Sequence, residues 1–229
     1  MLYFCGFGTL YCITLIKSLR VQDINKKIRK KNILTDINFK LYSGNIYGFV
    51  GRNGSGKTML FRALSGLMSV DSGFISWNNK ILKQDFSVLP SLGIVLENAS
   101  LYSNLTGMQN LTYLANLTGR IGMEEIREAI CRVGLDPDDR RHYGKYSLGM
   151  KQRLAIAQAI MEKPDVIMLD EPSNALDEDG VEEIRKLIIA EKERGSLILL
   201  ASHNRDDIHI LADHTFRMDS GRVMQQEDC

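Results

Sequence analysis

One eight-residue stretch constrains the fold of this chain more than any other part of its sequence. It has the form G-x-x-x-x-G-K-[ST], and its residues are Gly51, Arg52, Asn53, Gly54, Ser55, Gly56, Lys57 and Thr58. The apolar run Ile46–Val50 precedes it, and the helical pattern Thr58–Leu64 follows it. In that order a strand, a glycine-rich turn and a helix form a phosphate-binding loop. This context favours a phosphate-binding loop over a simple glycine-rich turn.

The residue types in this loop suit a nucleotide that carries a magnesium ion. Glycines let backbone N–H groups converge on phosphate oxygens, and the N-terminus of the following helix adds about half a positive charge. In such loops Lys57 reaches the β- and γ-phosphate oxygens and Thr58 ligates Mg²⁺. We therefore expect residues 51–58 to bind a nucleoside triphosphate and Thr58 to be a metal ligand.

Short apolar runs alternate with helical patterns along much of the chain. Ile46–Val50, Val166–Leu169 and Leu197–Ala201 are apolar throughout, which is typical of parallel strands buried on both faces. Ser18–Asn25 alternates like a half-exposed strand. The pattern predicts an α/β fold of the P-loop NTPase type, with a mainly parallel core sheet.

The pattern becomes helical between Glu97 and Met161. Gly107–Thr118, Met123–Val133 and Leu148–Met161 are the candidate helices. We interpret this stretch as a helical subdomain inserted into the core. The expected division is a core of about 19–96 and 162–229 with a helical lobe of about 97–161.

The N-terminus raises the question of a membrane segment. Leu2–Ile16 is apolar apart from glycine and threonine, and Lys17 and Arg20 follow it. A span needs about 17–25 residues, and a signal peptide has positive charge before its apolar stretch. We therefore expect one domain over 19–229 and leave the role of 1–18 open between a tail and an extra packed segment.

Overall composition argues against two classes of site. Lys and Arg number 29 against 28 Asp and Glu in 229 residues, so no long-range positive field favours nucleic acid as a partner. The four cysteines are scattered without C-x-x-C spacing, which favours neither a zinc site nor a disulfide framework. They are Cys5, Cys12, Cys131 and Cys229. A reducing cytoplasm fits this pattern.

The stretch from Lys26 to Lys31 carries five positive charges in six positions. A solvated hairpin is the interpretation that we favour for such a short run. Attraction to phosphate or to lipid headgroups is the alternative.

Acidic residues and a histidine follow two of the apolar runs. Asp170 and Glu171 end the run Val166–Leu169, so Asp170 can hold magnesium and Glu171 can orient or deprotonate the attacking water. Adjacent side chains on an extended strand point to opposite sides, which predicts separate roles. His203 follows the third run and can donate a hydrogen bond to a γ-phosphate.

The ordered set of these motifs resembles that of the ABC ATPases. The additional matches are Tyr146–Arg153, with sequence Tyr-Ser-Leu-Gly-Met-Lys-Gln-Arg, and Asn174–Asp177. The resemblance covers the chain from about Leu19 to Val223. It implies an ATP-hydrolysing enzyme, with catalytic roles for Glu171 and His203.

The resemblance also implies a head-to-tail homodimer that forms with ATP. Ser147 and Gly149 match the signature motif, which completes the nucleotide site of the opposite subunit, and Asp177 ends the D-loop. Ser147 can cap a helix that runs to about Met161, so a hydroxyl and a positive helix end would face the incoming γ-phosphate. The family further implies a separate transmembrane permease and a cytoplasmic location on the inner face of the membrane.

Three features depart from the common family pattern. The signature reads Tyr-Ser-Leu-Gly-Met in place of Leu-Ser-Gly-Gly-Gln, and no aromatic residue for stacking on adenine lies near Ile28. Glu97 stands where the family has a glutamine, and we expect it to belong to the nucleotide site. Glu97 and this signature, together with the sequence Asn-Leu-Thr-Gly that begins at Asn104, are similar to the bacitracin-immunity, lantibiotic-immunity and drug-export ATPases.

The leading hypothesis is therefore the ATPase subunit of an export or self-protection transporter. One alternative is an ABC-type ATPase that acts on DNA ends or ribosomes, but the chain has neither long heptads nor a second phosphate-binding loop. The other alternative is an ATP-binding switch with little turnover, against which Glu171 and His203 argue.

Overall fold

A computed structural model describes residues 16–96, 101–203 and 205–228. Most of the apolar N-terminal segment and Glu97 therefore lie outside the described residues. The strands are β1 (Ser18–Ile28), β2 (Lys31–Tyr42), β3 (Ile46–Val50), β4 (Ser72–Trp77), β5 (Lys80–Ile81), β6 (Leu92–Val95), β7 (Val166–Asp170), β8 (Leu197–Ser202), β9 (His214–Asp219) and β10 (Arg222–Asp228). The helices are α1 (Lys57–Ser65), α2 (Gly107–Thr118), α3 (Met123–Arg132), α4 (Leu148–Ile160), α5 (Glu178–Glu193) and α6 (Arg205–Leu211).

The larger sheet has the strand order β10-β9-β3-β8-β7-β6. Its pairs are parallel except for β9 with β10, and every residue of β7 and β8 is buried. The prediction of a mainly parallel core sheet is thus confirmed. Because parallel strands end at the same edge, the residues that follow β3, β7 and β8 come together there.

A second sheet, antiparallel and four-stranded, has the order β2-β1-β4-β5. The sequence predicted only its first strand, over Ser18–Asn25, and β1 continues to Ile28 because it pairs with β2 as far as Lys31. Arg29 lies in the turn between them with a φ of 55°. The basic stretch is therefore the hairpin that we predicted.

Helix α1 is packed into one core with residues from both sheets. Leu60, Phe61 and Leu64 are fully buried, in a cluster that also contains Leu19 of β1 and Phe49 of β3. Each such side chain contributes about 1.5–3 kcal/mol when it is fully buried. This packing fixes the start of α1, where the phosphate-binding loop ends.

Helices α2, α3 and α4 lie between β6 and β7 in the chain, and we call them the helical lobe. Helix α2 has the predicted bounds, whereas α3 and α4 each end one residue before the predicted position. The lobe packs through Leu111, Ile130 and Leu154 into a second core cluster, which reaches Leu200 of the larger sheet. The lobe is thereby joined to the sheet that carries the candidate site.

Candidate functional site

The phosphate-binding loop connects the end of β3 to the start of α1, and two of its glycines are required by geometry. A Cβ atom at Gly51 would lie 2.4 Å from the carbonyl oxygen of Met218 and 2.6 Å from Oγ of Ser55. Gly56 caps α1 with a φ of 111°, a backbone conformation that residues other than glycine rarely adopt. The predicted strand, loop and helix are therefore all present, and the glycines set the loop's path.

The start of α1 has the properties of an anion-binding site. No side chain caps this helix, so its first N–H groups need a partner from outside the helix. Within the described part of the chain, the buried Oγ of Ser55 also has no hydrogen-bond partner. Both features fit the phosphate groups of a nucleotide.

Lys57 lies in the first turn of α1 and is largely buried. Its Nζ donates to the carbonyl oxygen of Gly51 at 2.6 Å, with the carbonyl oxygen of Arg52 at 3.5 Å. Carbonyl oxygens are neutral acceptors, and a charge-assisted bond to a phosphate oxygen is roughly twice as strong. The ammonium group is therefore placed to exchange these contacts for a phosphate.

Thr58 and Asp170 join α1 to the end of β7. The Thr58 hydroxyl donates a hydrogen bond to Oδ2 of Asp170, and the Asp170 side chain is buried. Hydroxyl and carboxylate oxygens are the hard ligands that Mg²⁺ takes together with substrate phosphates. The two residues predicted as metal ligands thus lie side by side and fit this ion.

Glu171 follows Asp170 but is not part of the strand. The residue has a φ of 52°, in the left-handed region, so the expectation that both acids lie on an extended strand is wrong. A non-glycine residue in this conformation costs about 1–3 kcal/mol and persists only where the surrounding structure enforces it. The separate roles predicted for the two acids therefore depend on a turn at Glu171 rather than on strand alternation.

The carboxylate of Glu171 is held by the residues that end β8. Oε1 accepts from the backbone N–H of His203 at 2.8 Å, and Oε2 accepts from the Ser202 hydroxyl at 3.1 Å. Nδ1 of His203 lies 2.9 Å from Oε2, and Glu171 is only 7% exposed. These contacts fix the carboxylate at the edge where the phosphate-binding loop begins.

His203 is oriented by this contact. When Nδ1–H donates to Glu171, a neutral imidazole has only an acceptor at Nε2, whereas a protonated ring donates from both nitrogens. About half of the His203 side chain is exposed. The histidine can therefore reach a ligand with the ring edge that faces away from Glu171.

A cleft of about 560 Å³ lies over the phosphate-binding loop, a size typical of small-molecule sites. Its lining residues are Lys31, Asn32, Ile33, Asn53, Gly54, Gly56, Lys57, Thr58, Met59, Arg62, Asp170, Glu171, Ser220 and Gly221. None of these described residues is aromatic, in agreement with the lack of a ring near Ile28. Lys31 of the basic hairpin also lines the cleft. The alternative interpretation of that basic stretch, attraction to phosphate, would require this position.

The residues of the signature motif lie outside this cleft. Ser147 caps α4, since its Oγ accepts from the N–H of Met150 at 3.1 Å, and the predicted capping role is confirmed. Tyr146 before it is buried, which raises the pKa of its phenol. Leu148 after it is exposed. The start of α4 thus presents Ser147 on the surface.

Gly149 lies against the segment that leads to Asp177. Asp177 caps α5, with Oδ1 accepting from the N–H of Gly180 at 3.0 Å. A Cβ atom at Gly149 would lie 2.9 Å from the carbonyl oxygen of Ala175, which has a φ of 68°. Within one chain the structure brings the phosphate-binding loop, Asp170, Glu171 and His203 together, and it leaves Ser147, Gly149 and Asp177 outside the cleft over that loop.

Two residues of the site were missed in the sequence. Ser202 holds the Glu171 carboxylate, and Gln152 of α4 donates to the carbonyl oxygen of Pro172 at 3.2 Å. Ser202 precedes His203 directly, which was an available signal. Nothing in the local sequence pairs Gln152 with Pro172, because the two are 20 residues apart.

The known sequences that resemble this chain include ATP-binding proteins of transporters. A family model described as "ABC transporter" matches residues 34–174. The uncharacterised ABC transporter ATP-binding protein YybJ of Bacillus subtilis is 42% identical over 91% of this chain and 96% of its own length. The bacitracin transport ATP-binding protein BcrA of Bacillus licheniformis is 36% identical over 91% and 69%. The lantibiotic transport ATP-binding protein SrtF of Streptococcus pyogenes is 32% identical over 92% and 90%.

Solved structures agree in fold. A dimeric bacterial ABC transporter cassette, MJ0796, has a TM-score of 0.83 at 20% identity, over 92% of this chain and 98% of that one. At this identity the likeness concerns the fold alone. Among the described residues, no helix has the length and apolar character that crossing a membrane requires.

Proposed function

Because this chain belongs to the ABC transporter family and is an ATP-binding ATPase subunit, we propose that it powers export or self-protection against a drug or antimicrobial peptide. The unit is proposed to be a single domain over 19–229, with a core of about 19–96 and 162–229 and a helical lobe of about 97–161. The observation that carries the catalytic proposal is the Glu171 carboxylate, fixed by Ser202 and His203 beside the Thr58–Asp170 pair.

These contacts support a separate role in ATP hydrolysis for each residue of the site. Lys57 and the N–H groups at the start of α1 bind the phosphates, and Thr58 with Asp170 would hold Mg²⁺. When bound, this ion neutralises charge on the phosphate oxygens. Glu171 orients the attacking water and accepts its proton, which its acceptor-only carboxylate can do from a fixed position. His203 keeps Glu171 in place and contacts the γ-phosphate with its exposed edge.

The proposed active form is an ATP-dependent head-to-tail homodimer. Ser147, Gly149 and Asp177 lie on a surface separate from the chain's own cleft, which is what a site completed by a second copy requires. The likeness to the dimeric cassette MJ0796 supports the fold needed for such a pairing. We propose that the capped start of α4 faces the phosphate held by the other subunit.

The proposed membrane partner is a separate permease, to which the chain binds on the cytoplasmic face of the membrane. BcrA and SrtF, whose names specify bacitracin and lantibiotic transport, support a peptide antibiotic as the cargo. Glu97 is proposed to lie where the permease and the nucleotide site communicate. No role for nucleic acid is proposed.

Expression of this chain together with a candidate permease tests the transport proposal. In a sensitive host, the pair should raise the concentration of bacitracin or of a lantibiotic that inhibits growth. The same pair with Glu171→Gln should not. Equal inhibition with both pairs, while the purified parent hydrolyses ATP, would refute the cargo class and leave the ATPase assignment intact.

A further inference from the structure

Among the described residues, the most deeply buried carboxylate outside the nucleotide site is that of Glu191 on α5. The residue is 1% exposed, and two arginines enclose it. A terminal nitrogen of Arg132 lies 2.6 Å from Oε1, which makes an ion pair without hydrogen-bond geometry. Nε of Arg194 donates a hydrogen bond to Oε2 at 2.7 Å. A buried carboxylate without partners would be unfavourable, so these contacts are required once Glu191 is in place.

The two arginines come from different parts of the molecule. Arg132 is the last residue of α3 in the helical lobe, whereas Arg194 follows α5 and also donates to the carbonyl oxygen of Pro164 at 2.6 Å. The Arg194 contact is therefore internal to the core. The Arg132 contact joins the lobe to the core.

A second connection reaches the first half of α5. Arg153 of α4 lies 2.5 Å from Glu183 and donates to the carbonyl oxygen of Val133, the residue after Arg132, at 2.6 Å. Glu183 and Glu191 are eight residues apart on α5, which is about 12 Å along a helix. Two polar contacts at this separation restrict rotation of the lobe about either one, in addition to the packing of its apolar side chains.

We propose that Arg132 and Glu191 are positioning residues that set the angle of the helical lobe on the core, and through it the direction in which Ser147 faces a second subunit. The consequence for catalysis rests on the homodimer proposed above. The consequence for lobe orientation does not, because Arg132 and Glu191 meet within one chain. Both residues are far in the chain from the nucleotide-binding loop and act through the placement of α4.

The first test measures lobe orientation in the monomer. Spin labels at Leu117→Cys of α2 and Lys30→Cys in the β1–β2 turn, with all four native cysteines changed to serine, report the distance between lobe and core. Arg132→Gln should broaden the distance distribution about twofold, and Arg132→Lys should restore it. Arg194→Gln is the matched control: it removes the other arginine of Glu191, so it should lower the melting temperature without broadening the distribution.

An unchanged distance distribution in Arg132→Gln, or equal broadening in Arg194→Gln, would overturn the proposal.

The second test uses ATP-driven dimerisation of Glu171→Gln, measured by light scattering. Adding Arg132→Gln should raise the ATP concentration for half dimerisation about tenfold, within the range typical of coupled sites, while monomer nucleotide affinity stays constant. If Glu171→Gln alone never dimerises, the homodimer fails and the label distances still decide the role of Arg132.

Discussion

Nδ1 of His203 lies 2.9 Å from Oε2 of Glu171, although the two residues follow different strands of the larger sheet. The Ser202 hydroxyl and the His203 N–H bind the same carboxylate. Two hydrogen bonds and the contact with the imidazole, all from residues at the end of β8, therefore fix this carboxylate relative to the phosphate-binding loop.

Glu171→Gln should abolish most hydrolysis and leave nucleotide binding unchanged. A positioned base contributes about 10²–10⁴ in rate, and glutamine keeps the size of the side chain without its basicity. Phosphate release and the affinity for a fluorescent ATP analogue measure the two effects. Hydrolysis at the parent rate by the folded variant would show that Glu171 is not the base.

Ser202→Ala should lower kcat about tenfold and leave KM unchanged. It removes one donor from Glu171, equivalent to about 1.4 kcal/mol of transition-state stabilisation, while the two His203 contacts remain. Ser196→Ala is the control, because Ser196 is also buried and hydrogen-bonded but binds the Pro164 carbonyl instead. A parallel loss of kcat in both variants would indicate general destabilisation.

Lys57→Ala should weaken ATP binding by about tenfold to a hundredfold. A hydrogen bond to a charged group is worth about 1.5–3 kcal/mol, and the phosphate would lose this donor. Lys31→Ala, which removes a cation from the same cleft but outside the loop, should change affinity less than about threefold because exposed charges are screened. Titration with a fluorescent analogue compares them, and equal losses would argue for a diffuse electrostatic site.

Ser147→Arg should prevent the ATP-driven dimerisation of Glu171→Gln. The bulky cation would occupy the surface at the start of α4, and loss of the cap costs only about 1 kcal/mol. Ser147→Ala controls for the lost cap without adding bulk, so it should still dimerise. Light scattering at saturating ATP decides the matter, and a dimer formed by Ser147→Arg would exclude this surface from the interface.

Glu97→Gln should retain most basal ATPase activity and lower transport by the complex. An ionised glutamate only accepts hydrogen bonds, whereas glutamine also donates, so a basic or donor group on the permease would lose its matched charge. ATPase assays on the purified chain and resistance assays on the complex separate the two effects. Loss of basal hydrolysis would place Glu97 among the catalytic groups.

The sequence by itself determined the features that arise from local patterns. The glycine spacing at 51–56, the apolar runs of β3, β7 and β8, and the helical period of α2 are each specified by neighbouring residues. They were sufficient for the fold class, the phosphate-binding loop and the family. Ser147 could be assigned as a cap for the same reason, since a cap and its helix are adjacent in the chain.

The tertiary structure decided what depends on residues far apart in the chain. The turn at Glu171 and its capture by Ser202 and His203 link positions about 30 residues apart, and Arg132 meets Glu191 across the boundary between lobe and core. Sequence periodicity specifies which face of an element is buried but not which residue of another element it meets. Strand order and helix packing make that choice, so the orientation of the catalytic carboxylate and of the lobe appears only in the folded chain.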